Sequence, residues 1–224
     1  MPLNKSKGNM YPFVTHTWNT VKGKCPHGCE YCYMRRWGEQ APLHFDEREL
    51  KAELGEGNFI FVGSSCDMWA DKVEYDWIVD TLEHCCRYNN RYLFQSKNPD
   101  NFISWAYPTD VILGTTLESN WIYPEMSFSP LPLSRVIAME YLSARFKTML
   151  TIEPIMKFDL DEMVMWVKRC NPAWVNIGAD SQGHNLPEPS WEKVQELIAE
   201  LKKFTEVKEK RNLGRLKKAA REGD

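Results

Sequence analysis

The sequence predicts an α/β protein built on a parallel sheet, and three observations carry that expectation. Short runs of near-continuous apolar, β-branched and aromatic residues recur along the chain, as fits strands covered on both faces. Each run leads through a turn into a longer stretch with helical apolar spacing, which is the alternation of βα units. No Ser/Gly-rich linker and no internal repeat divides the 224 residues, so one large domain is expected, with a core able to fold unaided.

Taken in order, the expected strands are 13–18, 59–63, 92–95, 111–115, 148–152 and 174–177, all short and mostly free of charge. The expected helices are 46–54, 75–87, 101–105, 133–144, 160–169 and 190–204. The last opens on Ser190, an N-cap residue, with Lys193 where a capping box would carry an acid. Six βα units with right-handed crossovers give either an open α/β sheet or an incomplete barrel. The segment 119–131 contains Pro124 and Pro130 and reads as an irregular loop after a strand, where α/β proteins carry their sites.

Composition narrows the function. The chain is 43% hydrophobic and 26% charged with a formal net charge of −3, so there is no global electrostatic case for nucleic acid. Residues 202–224 hold nine Lys/Arg against four Asp/Glu, or +5, which leaves −8 on the rest and marks 205–224 as a basic C-terminal tail on a domain of 1–204. The N-terminus has no apolar export core, and no run of apolar residues is long enough to span a membrane. Seven cysteines, an odd count, argue against a disulfide framework and for a reducing, cytoplasmic compartment.

Those cysteines are unevenly placed. Cys25, Cys29 and Cys32 form a C-x3-C-x2-C loop after the first expected strand, with Gly28 to permit its turn and Pro26 to stiffen it. Three thiolates on one tight loop suit a [4Fe-4S] cluster that keeps one iron open. A zinc site completed by His27 or His16 is the other reading, and with the basic segment as an electrostatic arm it gives a non-catalytic, zinc-stabilised nucleic-acid-binding protein.

With Tyr31 just before the last cysteine, Cys25, Cys29 and Cys32 resemble the radical S-adenosylmethionine (SAM) superfamily. The resemblance extends through the strand-end segments 61–69, 94–99, 113–118, 151–154 and 174–181 and is greatest to a phage-associated group of that superfamily, with a distant likeness to the spore photoproduct lyases. It departs at Gly178-Ala179-Asp180-Ser181, where that group has a Gly-Gly-Glu-Ser-like run. What the resemblance implies is a partial (βα)6 TIM-like barrel, a [4Fe-4S] cluster and SAM as cofactors, and an external electron donor such as flavodoxin or ferredoxin. SAM would be reductively cleaved to a 5′-deoxyadenosyl radical that takes hydrogen from a substrate, by preference a nucleic-acid base or nucleotide.

Polar residues at the expected strand ends supply the remaining candidates, because the carboxyl ends of parallel strands face the site. Gly63, Ser64 and Ser65 let backbone approach a ligand and by resemblance hold the SAM amino group, with Asp67 beside them. Ser96 and Lys97 suit an anionic group, and Thr116 and Glu118 the SAM ribose or ammonium. Glu153 follows an apolar run, where a buried carboxylate needs a partner or ligand, and is a candidate both for catalysis and for cofactor binding. Tyr31 packs on the cluster loop or meets adenine. Cys66, inside the 63–69 loop, is a candidate hydrogen-atom donor, while Trp121, Tyr123 and Phe128 are candidates to stack on a planar substrate.

Overall fold

The structure, a computed structural model, describes residues 3–222. Its main sheet has eight strands in the order β1 (Asn4–Lys5), β2 (His16–Trp18), β5 (Phe59–Val62), β6 (Arg91–Gln95), β7 (Asp110–Thr116), β8 (Lys147–Ile152), β9 (Trp174–Ile177) and β10 (Glu206–Glu209). A separate hairpin pairs β3 (Val21–Lys22) with β4 (His44–Phe45). Every neighbouring pair of the main sheet is parallel except β1 with β2. The order follows the chain without reversal. Right-handed crossovers then put every helix on one face, and the sheet curls about the other into a partial barrel.

The helices are α1 (Tyr75–Cys86), α2 (Pro132–Ser143), α3 (Leu160–Cys170), α4 (Trp191–Leu201) and α5 (Gly214–Glu222). Local chemistry sets their ends. Asp159 accepts from the Glu162 N–H at the start of α3, Asn171 closes it with φ at 44°, and acids lead while bases trail, complementing the helix dipole. Ser190 caps α4 by accepting from the Lys193 N–H, and Pro132 occupies the first turn of α2, where its missing N–H costs nothing. The expected helices at 46–54 and 101–105 are instead short 3-10 turns, Glu47–Lys51 and Pro99–Phe102. In the first, no residue is buried and Asp46 binds Lys22 and Arg48 rather than capping a helix.

Alternation along the strands builds two cores. Ile60, Val62, Tyr92, Phe94, Leu113, Leu150 and Ile152 face the helices, packing with Leu82, Met139, Val167 and Leu197. Their neighbours Phe61, Leu93, Ile112, Met149 and Trp174 fill the barrel interior together with Tyr11 and Val14 from the N-terminal segment. This apolar plug leaves the opposite, carboxyl end of the barrel for polar groups.

The stretch expected as a basic tail is part of the fold. Glu206 to Glu209 pair in parallel with Trp174 to Ile177, and Leu213 and Leu216 are buried. An edge strand needs no apolar outer face and benefits from charge, which is why its sequence reads as a tail. Lys208 sets its ammonium over two rings, 4.9 Å from the centre of Phe13 and 4.5 Å from that of Trp174.

Candidate active site

At the carboxyl ends of the strands lies a cavity of about 530 Å³, lined among others by Cys25, Cys29 and Cys32. All three thiols are free and half-buried. The loop between them closes through Gly28 N–H to Cys25 O at 3.2 Å and Cys32 N–H to Cys29 O at 3.1 Å. Gly28 has φ at +56°, a conformation that favours glycine, and a Cβ there would crowd the Phe128 ring at 3.0 Å. Arg35 ties down the far side, donating to Cys29 O, Gly28 O and the Glu30 carboxylate.

The long 119–131 loop braces this turn rather than lining the cavity. Phe128 N–H donates to His27 O at 2.8 Å, Glu30 N–H donates to Met126 O at 2.9 Å, and the Ser127 hydroxyl sits 3.2 Å from Cys29 Sγ. Trp121 and Tyr123, expected to stack on substrate, instead line a separate recess of about 50 Å³. Phe128 stands over Gly28.

Asp67 organises three elements at once. Its Oδ2 accepts from His27 Nε2 at 2.8 Å, Ser96 Oγ at 2.9 Å and the Lys97 N–H at 2.9 Å, and its Oδ1 accepts from the Trp69 N–H. Burial opposes its charge, but the His27 hydrogen bond and the backbone donors outweigh it and hold the carboxyl below its ordinary range. Asp67 therefore joins the cysteine loop to the ends of β5 and β6. Ser96 lines the cavity with its hydroxyl already committed to Asp67.

Glu118 is buried away from the main cavity, where it lines the smaller recess. It pairs with Lys97 Nζ at 2.5 Å and Arg135 Nη1 at 2.8 Å and accepts from the Tyr31 hydroxyl. Burial works against its ionisation, yet Lys97 and Arg135 hold its pKa well down. Lys97 reaches from this pair to within 3.4 Å of Cys29 Sγ and lies 4.3 Å from the centre of the Tyr31 ring. Burial and the Glu118 charge push the Tyr31 hydroxyl well up. Of the candidates at this end, Tyr31, Lys97 and Thr116 reach the cavity and Glu118 stands behind them.

Glu153 lines the cavity at the end of β8 and is met from both chain ends. Asn9 Nδ2 donates at 2.8 Å, Lys210 Nζ at 2.5 Å and Asn212 Nδ2 at 2.7 Å. Sequence reasoning missed these partners. Asn9 lies in a polar N-terminal run and Lys210 in the supposed tail, so neither carried a local signal. Arg135 and Tyr11 were also missed; the Tyr11 hydroxyl bridges Gln95 and Thr151, each at 2.7 Å.

Gly63, Ser64 and Ser65 line the cavity, positioned by Asn19, whose Oδ1 accepts from the Ser64 hydroxyl at 3.2 Å and the Ser65 N–H at 2.9 Å. Cys66 is buried beside Cys25. Hydrogen bonding between the two lowers the Cys25 thiol against the effects of burial and Asp67, and raises that of Cys66.

Three cysteines bordering one cavity are a donor set that an iron–sulfur cluster can take. His16 is hydrogen-bonded to Thr15 and does not line the cavity, while His27 lines it with one ring nitrogen on Asp67. Among the described residues, no three His, Cys, Asp or Glu side chains converge on a single-ion position. The thiols instead border an open space, as three ligands of a polynuclear cluster do.

No family model matches the sequence, and no curated protein is significantly similar to it. The solved structures it resembles are of spore photoproduct lyase. A cysteine mutant aligns with a TM-score of 0.63 at 10% identity, over 89% of this chain and 78% of that one. A double mutant with bound AdoMet and dinucleoside spore photoproduct aligns at 0.59 and 10% identity, over 91% and 66%. A complex with dinucleoside spore photoproduct alone gives 0.55 and 10%, over 88% and 64%. This chain thus spans about two thirds of the length of the ligand-bound lyase chains. The shared feature is the fold, a partial parallel barrel.

Proposed function

We propose that this chain is a radical SAM enzyme, of the phage-associated group its strand-end segments resemble. One observation carries the reading: the C-x3-C-x2-C loop presents Cys25, Cys29 and Cys32 to a cavity at the carboxyl ends of a partial parallel barrel. The three thiolates would hold a [4Fe-4S] cluster, and SAM would take its open iron. When bound, the cluster, once reduced by a flavodoxin or ferredoxin, would supply the one electron that cleaves SAM to methionine and a 5′-deoxyadenosyl radical able to take hydrogen from a substrate.

The chain's own groups have distinct tasks. Asn19 fixes the Gly63 to Ser65 turn so that its backbone meets the amino end of SAM. Asp67 acts through the loop it anchors, and Ser96, Lys97 and Thr116 set the polar wall opposite. Glu118 positions Lys97 and Tyr31 from behind. Glu153, held by three donors, stands in the cavity wall for catalysis and cofactor binding, and Cys66 is the hydrogen-atom donor. A nucleic-acid base or nucleotide is the favoured substrate, supported by the dinucleoside bound in the lyase structures of like fold. The free thiols fit a reducing cytoplasm. No helix among the described residues is long and apolar enough to cross a membrane.

Anaerobic reconstitution is expected to give about four irons per chain and a brown chromophore. Reduction in the presence of SAM is then expected to release 5′-deoxyadenosine. A single bound zinc ion, with no visible absorption and no 5′-deoxyadenosine, would sink the reading.

A further inference from the structure

A buried cation reaches the sulfur of one of the loop cysteines. Lys97 follows β6, and its backbone N–H donates to Asp67, which anchors the residue at the strand end. From there its ammonium donates to Cys29 Sγ at 3.4 Å and lies 4.3 Å from the centre of the Tyr31 ring. Tyr31 stands between Cys29 and Cys32 in the sequence, so Lys97 meets the loop at a thiol and at a ring. Arg35 also binds this loop, but through the Cys29 and Gly28 carbonyls and the Glu30 carboxylate, not through sulfur.

The Lys97 charge is held in place from behind. An ammonium has three N–H groups, and here Cys29 Sγ, the Tyr31 hydroxyl and Glu118 Oε1 accept from it. Glu118 alone would offset that charge. Its other oxygen, Oε2, takes Arg135 Nη1 at 2.8 Å, so one carboxylate is shared between two cations. Lys97 is 13% exposed, and Glu118 and Arg135 are 5% each, so the group works in a medium that screens weakly. Arg135 therefore leaves part of the Lys97 charge to act on the sulfur it touches.

We infer that Lys97 sets the reduction potential of the [4Fe-4S] cluster proposed for this loop, raising it by donating to the Cys29 sulfur. The inference deepens the radical SAM reading and rests on it. The step concerned is transfer of one electron from the flavodoxin or ferredoxin: that protein is oxidised, the cluster is reduced, and no proton or leaving group moves. The added electron makes the cluster more negative, and hydrogen bonds to its sulfurs are among the interactions that set its potential. A cation bonded to a ligand sulfur in a weakly screening site favours the reduced form. Lys97 acts through Cys29, while Glu118 and Arg135 act through Lys97.

The test is a redox titration of the anaerobically reconstituted full chain without SAM, followed by the EPR signal of the reduced cluster. Omitting SAM keeps any contact between Lys97 and the cofactor out of the reading. Lys97→Met keeps an unbranched side chain and removes the charge. The ratio of reduced to oxidised cluster at a fixed ambient potential is expected to fall about tenfold, the scale of one hydrogen bond to a charged group, or about 59 mV downward for one electron. Lys97→Gln, which restores a neutral donor, is expected to lie between Lys97→Met and the wild type. Iron content and circular dichroism check that each variant loads and folds, and the two variants read the effect independently. A merely structural role gives the opposite sign, because a loosened loop admits water, which favours the more negative reduced cluster and raises the potential. An unchanged or raised potential in the variants overturns the inference and leaves the radical SAM reading standing. A wild-type chain that loads no iron removes both.

Discussion

Lys210 Nζ lies 2.5 Å from the Glu153 carboxylate, joining the last strand of the sheet to the end of β8 across 57 residues. Both side chains are largely buried, at 10% and 16% exposure, so the pair works in a medium that screens it weakly. The C-terminal segment thereby contributes Glu206–Glu209 to the sheet and Lys210 and Asn212 to the site. Replacing Lys210 by Met keeps an unbranched side chain of similar length and removes the charge that sits on Glu153 and over the Tyr11 ring. We expect a cost of about 2 kcal/mol, the usual scale for a hydrogen bond to a charged group, read by urea unfolding. A chain ending at Phe204 is expected to lose cooperative unfolding, because it uncovers the β9 edge and the partners of Leu213 and Leu216. An unchanged unfolding midpoint in the shortened chain would return the segment to the status of a tail.

Asp67 makes the anchorage of the cysteine loop sensitive to acid. Its pKa in the folded protein lies below the value of about 3.9 expected in the unfolded chain. The stabilisation is then complete above the unfolded value and is lost as pH falls through the folded one. Glu118 is shifted in the same direction and adds to the loss. Stability measured by urea titration is expected to fall below about pH 4. Asp67→Asn should lower it at pH 7 by about 3 kcal/mol and flatten the acid limb. A variant that keeps the full acid slope would show that Asp67 is not the group responsible.

Cys66 and Cys25 are neighbours, yet only Cys25 lies in the loop that spaces three ligands. Cys66→Ala is expected to retain about four irons per chain after anaerobic reconstitution, with its loss showing only in product formation. Ala at Cys25, Cys29 and Cys32 together is expected to abolish iron loading. Should Cys66→Ala also lose iron, Cys66 would be a ligand and the open iron would disappear from the scheme.

Gly178 presses against the site from β9. A Cβ there would stand 2.7 Å from Glu153 Oε1 and 2.9 Å from Asn212 Oδ1, closer than packed atoms allow. Gly178→Ala is expected to displace the Glu153 carboxylate and destabilise the protein by about 1–3 kcal/mol, the scale of overpacking. Thermal unfolding checks the stability, and SAM affinity by calorimetry checks whether the displaced carboxylate matters to the cofactor. Wild-type values in both would mean that Glu153 is free to move.

The parts of the molecule legible in its residues are those whose cause is local. Trp174–Ile177 reads as a strand and is one because its four side chains are all buried, so apolarity continues without a break. The three thiols of the loop declare themselves within eight residues, and the helix end at Ser190 follows from a side chain that reaches its own backbone. Tertiary structure alone decided the rest. It made an edge strand of Glu206–Glu209, whose charges face water and so imitate a tail. It turned the aromatic 119–131 loop into a brace through backbone hydrogen bonds, which side-chain composition does not encode. It also assigned the partners of buried charge: Arg135 to Glu118, His27 to Asp67, and Asn9, Lys210 and Asn212 to Glu153. A buried charge requires a partner, but the requirement names no position. Only the closing of the barrel, which brings both chain ends to the end of β8, determines which residue answers it.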